Sequence, residues 1–250
     1  IAVAGNPPVK FGSADFGAEN RAQEPPGFSL FLGRVALNDL FSIGLLPITE
    51  VLAFAVFYTI LLRSFGHPVL CALAAPILVE GFLVCSSALV KKVLVGSTWG
   101  RDHSTPFWSW RHFAYFFAQD CFFVWCRGPL VFCAGTILAN SILRWMGCHI
   151  GHGTIVTRPM QCSDWNAVSF GNDCVIDGFL QFHSLENMML KVKRTHIQDG
   201  CTVAFGATVM GGAVIERDAT LLPSSLVLKE MHLPTAIYEG SPVEPVSDTR

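Results

Sequence analysis

Residues 197–227 read IQDGCTVAFGATVMGGAVIERDATLLPSSLV and repeat with a period of six. Each unit opens on an aliphatic residue, and in all but the last a small residue follows four positions later. The aliphatic positions are Ile197, Val203, Val209, Ile215, Leu221 and Val227, and the small ones are Cys201, Ala207, Ala213, Ala219 and Ser225. This period is typical of short parallel strands whose inward side chains stack from coil to coil. Three such units then complete one triangular coil.

The same phase occurs upstream of this segment. It places Ile150, Val156, Phe170, Ile176 and Phe182 at the inward positions, with two irregular inserts between the blocks. An antiparallel sheet would instead alternate with period two and use hairpin turns such as Asn-Gly, which do not occur in this sequence. We therefore predict an all-β, left-handed parallel β-helix of hexapeptide repeats over residues 147–232, followed by a C-terminal tail over 233–250.

The part of the chain before the repeats is unusually apolar. The chain is 51% hydrophobic and only 14% charged, with a mean hydropathy of +0.45, whereas soluble domains carry about 25% charged residues. Two long apolar runs cover 41–62 and 69–90. Each is long enough, at about 1.5 Å per residue, to cross about 30 Å of hydrocarbon. We predict a transmembrane α-helical hairpin within a membrane region over 28–146.

The flanking charges predict the orientation of this hairpin. Lys91 and Lys92 follow the second run, whereas the connecting turn offers only Arg63 and His67. The positive-inside rule then places both ends of the hairpin, and the β-helix, on the cytoplasmic, matrix or stromal side. We expect an integral membrane protein that contacts lipid, and favour an organellar membrane.

The remaining segments do not favour a further membrane span. Residues 1–27 contain Pro-Pro pairs and no apolar run, which indicates an extended N-terminal arm. Because the chain begins at Ile1 rather than Met, we expect a piece upstream of it. Residues 108–146 are apolar but interrupted at Gln119 and Asp120 and again at 127–129, so we predict interfacial or re-entrant helices. A third span from Leu130 onward is the less favoured alternative.

Charge and cysteine content exclude several classes of protein. The net charge of -2 leaves no basic excess, so we expect no nucleic-acid partner. The nine cysteines are odd in number and include no CxxC pair, which argues against a disulfide scaffold and a zinc ribbon.

Beyond the repeats, the sequence resembles a known enzyme family. Four stretches resemble membrane-bound nonribosomal-peptide-synthetase-like enzymes of the ε-poly-L-lysine synthetase type. They are residues 180–242, from LQFHSLENMM to AIYEGSP, the stretch GSTWGRDHSTPFWSWRHF, the RGP break and LRWMGCHIGHG. The resemblance covers about 28–245. It implies an acyltransferase-like module that joins an activated aminoacyl group to an amine.

The chain departs from that family in two ways. The family enzymes carry an adenylation domain, a carrier domain and three copies of the membrane module, whereas this chain has one copy and neither activating domain. At the family's His-Leu-Phe-Glu-Asp-Arg pattern, the sequence 183–188 reads HSLENM, which keeps His183 and Glu186 but has Asn187 and Met188 in place of the Asp and Arg.

His183 is the candidate general base, with Glu186 as the residue that would orient it. Acyl transfer needs a base near neutral pKa that removes a proton from the acceptor as it attacks a thioester, and imidazole meets that need. The alternative is a structural imidazole that bonds a backbone carbonyl.

Zinc chemistry is not expected. In the γ-class carbonic anhydrases of similar fold, a ligand sits in a TVGHGA run, and the corresponding run here is TVAFGA, with Phe205 in the ligand position. His149 and His152 alone would leave a tetrahedral site short of a ligand.

Glu50 and Glu80 are candidate cofactor-binding residues in the hairpin. Both lie about 17 to 18 Å from the turn, so they share one depth. An ionisable group there requires pairing, protonation or metal ligation. Proton sharing, pairing with Arg127 or Arg144, and ligation of a pigment metal are the open alternatives, beside a neutral acid bonded to a helix backbone. The cofactor is otherwise unknown.

Two functions remain. The first is a noncatalytic accessory or assembly subunit of a larger membrane complex, such as an organellar respiratory or photosynthetic one, whose other subunits would be its partners. The alternative is a membrane-bound acyl- or aminoacyltransferase that takes a carrier-bound donor activated by another protein. The single copy, the missing activating domains and the changes at Asn187 and Met188 favour the first.

Overall fold

A computed structural model of the chain describes residues 3–4, 9–10, 32, 40–96, 102–162 and 164–246. The chain divides into two compact units. A helical unit comprises Glu24–Ser97 and Trp108–Phe132, and a β unit comprises Ile1–Gln23, Thr98–Phe107 and Cys133–Arg250.

The helical unit is built on two long helices. A π-helical segment, Leu40–Leu45, leads into α1, Leu46–Phe65, and α2 follows as Pro68–Leu94. Gly66, with φ of 70°, ends α1 in the left-handed conformation that glycine adopts at low cost. Only Gly66 and His67 separate the helices, so α1 continues three residues beyond the predicted run 41–62, and α2 continues four residues beyond the predicted run 69–90. Both are long and apolar enough to cross a membrane.

The helical unit has a small core and an apolar exterior. Leu46, Val79, Leu83, Cys121 and Trp125 form the buried cluster. Large apolar side chains elsewhere on α1 and α2 are exposed, for example Val51 (68%), Leu73 (67%) and Ile77 (74%). A core helix of a soluble protein would bury such side chains.

Two shorter helices complete this unit. They are α3, Trp110–Trp125, and α4, Arg127–Phe132. Gln119 and Asp120 interrupt the apolar run in the sequence, but α3 continues through both residues. Polar side chains do not break a helix unless they compete for its backbone, and the break falls at Cys126, before the RGP motif.

The β unit is a parallel β-helix with added strands. The strands of the described residues are β1 Val3–Ala4, β2 Val9–Lys10, β3 His103–Pro106, β4 His149–Ile150, β5 Ile155–Val156, β6 Val168–Phe170, β7 Val175–Ile176, β8 Phe179–Gln181, β9 His183–Glu186, β10 Met189–Val192, β11 Thr195–Ile197, β12 Thr202–Val203, β13 Thr208–Met210, β14 Val214–Ile215, β15 Thr220–Leu221, β16 Leu226–Val227, β17 His232–Leu233, β18 Ile237–Gly240 and β19 Val243–Pro245. Three parallel sheets form the faces, in the orders β4-β6-β11-β14-β17, β5-β7-β12-β15-β18 and β8-β13-β16.

The six-residue register is confirmed. The inward positions Val203, Val209, Ile215, Leu221 and Val227 are all fully buried, and so are the small residues Ala207, Ala213 and Ala219. Parallel pairing aligns Ile197 with Ile215, and Ile215 with Leu233. Each coil thus stacks its aliphatic side chains on those of the next, which supplies the apolar burial that short strands need.

The ends of the β-helix differ from the predicted boundaries. Helix α5, Ile137–Trp145, belongs to the β unit rather than to the helical unit. It buries Ala139 and Leu143, and the Asn140 amide donates to the Thr154 carbonyl at 2.7 Å. At the other end β18 pairs with β15 and antiparallel β19, so residues up to Pro245 belong to the fold rather than to a tail.

The predicted N-terminal arm falls largely outside the described residues. Within it, β1 and β2 pair antiparallel.

Candidate active site

The first of the two inserts carries a buried carboxylate. Between β5 and β6 the chain leaves the coil and forms two 3-10 turns, Pro159–Gln161 and Trp165–Ala167. Asp164 precedes the second turn, and its carbonyl accepts a hydrogen bond from the Ala167 N–H at 2.7 Å. Asp164 and Trp165 are 1% and 0% exposed. The first insert thus places the Asp164 carboxylate in the protein interior.

The second insert is a β-hairpin. Strands β9 and β10 pair antiparallel, and β3 pairs with β10 on the other side. The turn residues Asn187 and Met188 have φ values of 49° and 59°. Two-residue hairpin turns require this left-handed conformation, which asparagine tolerates and methionine adopts only at a cost. The two positions where the family pattern has Asp and Arg therefore form the turn of the hairpin.

The two inserts meet at His183. Its Nδ1 atom lies 2.6 Å from Oδ2 of Asp164, and the His183 side chain is 22% exposed. Burial by itself would lower the pKa of His183, but the hydrogen bond and the negative charge of Asp164 outweigh it and raise that pKa above the ordinary value. The pair therefore holds one imidazole nitrogen in a fixed direction and stabilises the protonated ring.

Glu186 has different partners. It accepts a hydrogen bond from the Ser184 hydroxyl at 3.0 Å and forms ion pairs with Lys191 at 3.2 Å and with Lys229. Residues 183 and 186 are three apart on one strand, so their side chains point to opposite faces. The carboxylate that contacts His183 is supplied by Asp164, which sequence reasoning missed. The signal that could have found it is an acidic residue in the only other insert.

A groove with both polar and apolar lining lies on the β4-β6-β11-β14-β17 face. Its volume is about 490 Å³, and its lining includes His149, Ser169 and His196 but neither His183 nor Asp164. These three residues are neighbours across β4, β6 and β11. The Ser169 hydroxyl and Nδ1 of His196 are 2.7 Å apart.

The other histidines and Phe205 that were singled out from the sequence are not part of the contact between His183 and Asp164. His149 and His152 are exposed, and Phe205 is 56% exposed beside Arg158. Among the described residues, no group of three or more His, Cys, Asp or Glu is arranged to hold a metal ion.

Glu50 and Glu80 lie near each other in the helical unit. They are close enough to interact electrostatically. The carboxylate of Glu80 faces Gly128 of α4, where an added Cβ atom would lie 3.2 Å from Oε1. In the described part of the chain neither glutamate forms an ion pair with Arg127, and Arg144 instead donates to the Ile150 and Gly151 carbonyls. Whether they bind a cofactor stays a prediction.

Comparisons with known proteins give structural similarities alone. No protein-family model and no curated protein sequence matches the chain. A hexapeptide-repeat acetyltransferase from Vibrio cholerae is 14% identical, with a TM-score of 0.38 over 45% of this chain and 80% of that one. A serine acetyltransferase from Neisseria gonorrhoeae is 15% identical, with a TM-score of 0.32 over 78% and 84% of the two chains. Soybean serine acetyltransferase is 17% identical, with a TM-score of 0.32 over 87% and 74%. At such low similarity these matches carry no argument about function, and the β-helix is established by the strand pairing described above.

Proposed function

We propose that the chain is a membrane-bound acyltransferase that moves an acyl or aminoacyl group from a carrier-bound thioester to an amine or hydroxyl. The observation that carries this proposal is the 2.6 Å contact between His183 and the buried Asp164. A histidine oriented by a buried carboxylate is the arrangement that general-base catalysis uses.

The geometry assigns a role to each atom of the pair. In neutral His183, Nδ1–H donates to Asp164, which leaves Nε2 as the proton acceptor. As the acceptor nitrogen or oxygen attacks the thioester carbonyl, Nε2 removes its proton. Collapse of the tetrahedral intermediate breaks the carbon–sulfur bond, and the imidazolium returns the proton to the departing thiolate. Asp164 stabilises the imidazolium between these steps.

The accessory-subunit hypothesis loses one of its supports. It relied in part on the replacement of the family's Asp and Arg by Asn187 and Met188. These residues form the hairpin turn, whereas the carboxylate at His183 comes from Asp164. The transferase is therefore the better supported of the two functions.

The finer features of the proposal come from the apolar runs, the flanking charges, the six-residue period and the missing activating domains in the sequence. They are α1 and α2 embedded in lipid, a left-handed β-helix on the cytoplasmic, matrix or stromal side, and a donor activated by a separate protein. The apolar exposure of α1 and α2 supports the first of these. The sequence resemblance to enzymes of the ε-poly-L-lysine synthetase type supports an aminoacyl donor.

Thiol release from acetyl-coenzyme A and from aminoacyl thioesters of N-acetylcysteamine would test the proposal. The assay uses the purified full chain with a panel of amines. We expect His183→Gln to reduce transfer by at least about 100-fold, as loss of a general base does. His232→Gln is the matched control, because His232 pairs with Glu216 on the coil surface. Equal rates for wild type and His183→Gln would refute the base assignment, and a stoichiometric native complex whose activity survives His183→Gln would establish the accessory role.

A further inference from the structure

One arginine ties the first insert to two further coils of the β-helix. Arg158 lies at the start of the insert that carries Asp164. Its Nε donates to Oδ1 of Asp177 at 2.8 Å, and its guanidinium carbon lies 4.4 Å from the centroid of the Phe205 ring. The hydroxyl of Thr157 donates to the same oxygen of Asp177. We call Arg158, Asp177 and Phe205 the clamp.

The clamp spans three successive coils. Arg158 follows β5, Asp177 follows β7, which pairs with β5, and Phe205 follows β12, which pairs with β7. A guanidinium over an aromatic face is stabilised by the ring quadrupole, and the planar group can still hydrogen-bond a carboxylate. This contact also explains why Phe205, a large aromatic residue, is 56% exposed at a corner of the coil.

We propose that Arg158 is a positioning residue for Asp164, and that the clamp fixes the insert so that its carboxylate meets His183. The far end of the insert is already fixed, because β6 joins its sheet directly after Ala167. Arg158 and Asp164 are six positions apart, and the clamp, beside the Thr157 hydroxyl, anchors the near end through side chains. The positioning of Asp164 by Arg158 does not depend on the proposed function. Only the catalytic role of the His183–Asp164 pair rests on it.

Displacement of the insert has a readable consequence at His183. The hydrogen bond, 2.6 Å long in the native arrangement, is lost when the insert moves by about 1 Å or when its N–H···O angle falls below about 120°. Burial of the imidazole would remain while the attraction to Asp164 diminished, so the pKa of His183 would fall. In the hairpin sheet, Val192 of β10 pairs with His183 on one side and with His103 of β3 on the other. His103 is therefore the titratable residue that shares this row with His183. The charged groups Lys191 and Glu186 lie on the opposite face of the hairpin.

Histidine-labelled NMR of the full chain in detergent micelles tests the proposal directly. The ring carbons of the eight histidines are titrated, and His183→Gln identifies the His183 signal by its disappearance. We expect Arg158→Gln and Phe205→Leu each to lower the pKa of His183 by about half a unit or more. Arg217→Gln is the control, because it removes an exposed ion pair with Asp199 at 3.1 Å outside the two inserts, and it should leave the His183 pKa unchanged.

The outcomes separate positioning from general stability. A clamp variant that melts at a lower temperature with an unchanged His183 pKa would overturn the proposal. If Arg158→Gln does not fold, Phe205→Leu and Arg158→Lys decide the question, since both keep a folded corner while weakening the stacked geometry. Where transfer is measurable, the rising limb of the pH–rate profile should move to lower pH in the clamp variants. The titration does not depend on transfer, so an inactive chain would end the proposed function without deciding the role of Arg158.

Discussion

His183 and Asp164 are separated by 19 residues and lie in different inserts, yet Nδ1 and Oδ2 approach to 2.6 Å. Asp164 is 1% exposed, so its charge acts on the imidazole with little screening by solvent. The pair joins the two inserts that leave the coil between β5 and β11. Its formation therefore depends on both inserts having their native shape.

Asp164→Asn should destabilise the β-helix in a pH-dependent way. The folded pKa of His183 is raised above the unfolded value, so its stabilisation is fully present below about pH 6.5 and is lost as the pH rises through the folded pKa. The difference in unfolding free energy between wild type and Asp164→Asn should reach about 3 kcal/mol at acidic pH, as when one partner of a buried ion pair is removed. It should shrink above the folded pKa of His183.

Thermal melts of both proteins between about pH 5.5 and 9 measure this difference. A gap that widens toward high pH would contradict the assigned direction of the His183 shift. Asp199→Asn, at an exposed ion pair, provides a control with a small gap at every pH.

Val209→Asp should unfold the β-helix. Val209 is fully buried between Leu180 and Val227 in the stacked column, and an unpaired carboxylate there has no solvent or partner. We expect a loss of more than about 4 kcal/mol, the range of an unpaired buried charge. Far-UV circular dichroism with denaturant would measure it.

The neighbouring position supplies a matched control for that substitution. Thr208 is paired in register with Phe179 and Leu226 on the outward row and is partly exposed. Thr208→Asp should cost about 1 kcal/mol or less, because its carboxylate stays in water. Equal losses at 208 and 209 would mean that the inward register is misassigned.

The repeat was readable from sequence because its determinant is local. Aliphatic residues six apart must face inward together, so the spacing from Ile197 to Val227 is enough to predict which side chains point inward. The segment around β18 and β19 lacks that phase, so the sequence predicts a tail over 233–250, whereas the two strands form an antiparallel pair. α5 was assigned to the membrane because its composition is apolar, although it packs on the first coil.

The carboxylate of the candidate site was not readable in the same way. The contact between His183 and Asp164 is made by two irregular inserts, and no periodicity specifies how irregular backbone folds across coils. Sequence proximity favoured Glu186, but alternation along β9 turns its side chain away from that of His183. The imidazole could thus be selected by residue type, whereas its partner required the three-dimensional arrangement.

The hairpin of α1 and α2 should present its turn and its basic end to opposite sides of a membrane. At about 1.5 Å per residue, helices of 20 and 27 residues are about 30 and 40 Å long, enough to cross the hydrocarbon core.

In a variant whose native cysteines are replaced by serine, we would introduce either His67→Cys in the turn or Lys92→Cys near the end of α2. A membrane-impermeant maleimide should then label the two from opposite faces of sealed vesicles, with Lys92→Cys on the cytoplasmic, matrix or stromal side. The cysteine-free parent sets the background, and detergent-opened vesicles show that both sites can react. Labelling of both from one face would mean that the hairpin lies on the surface or re-enters, because a single crossing by each helix must separate the turn from residue 92.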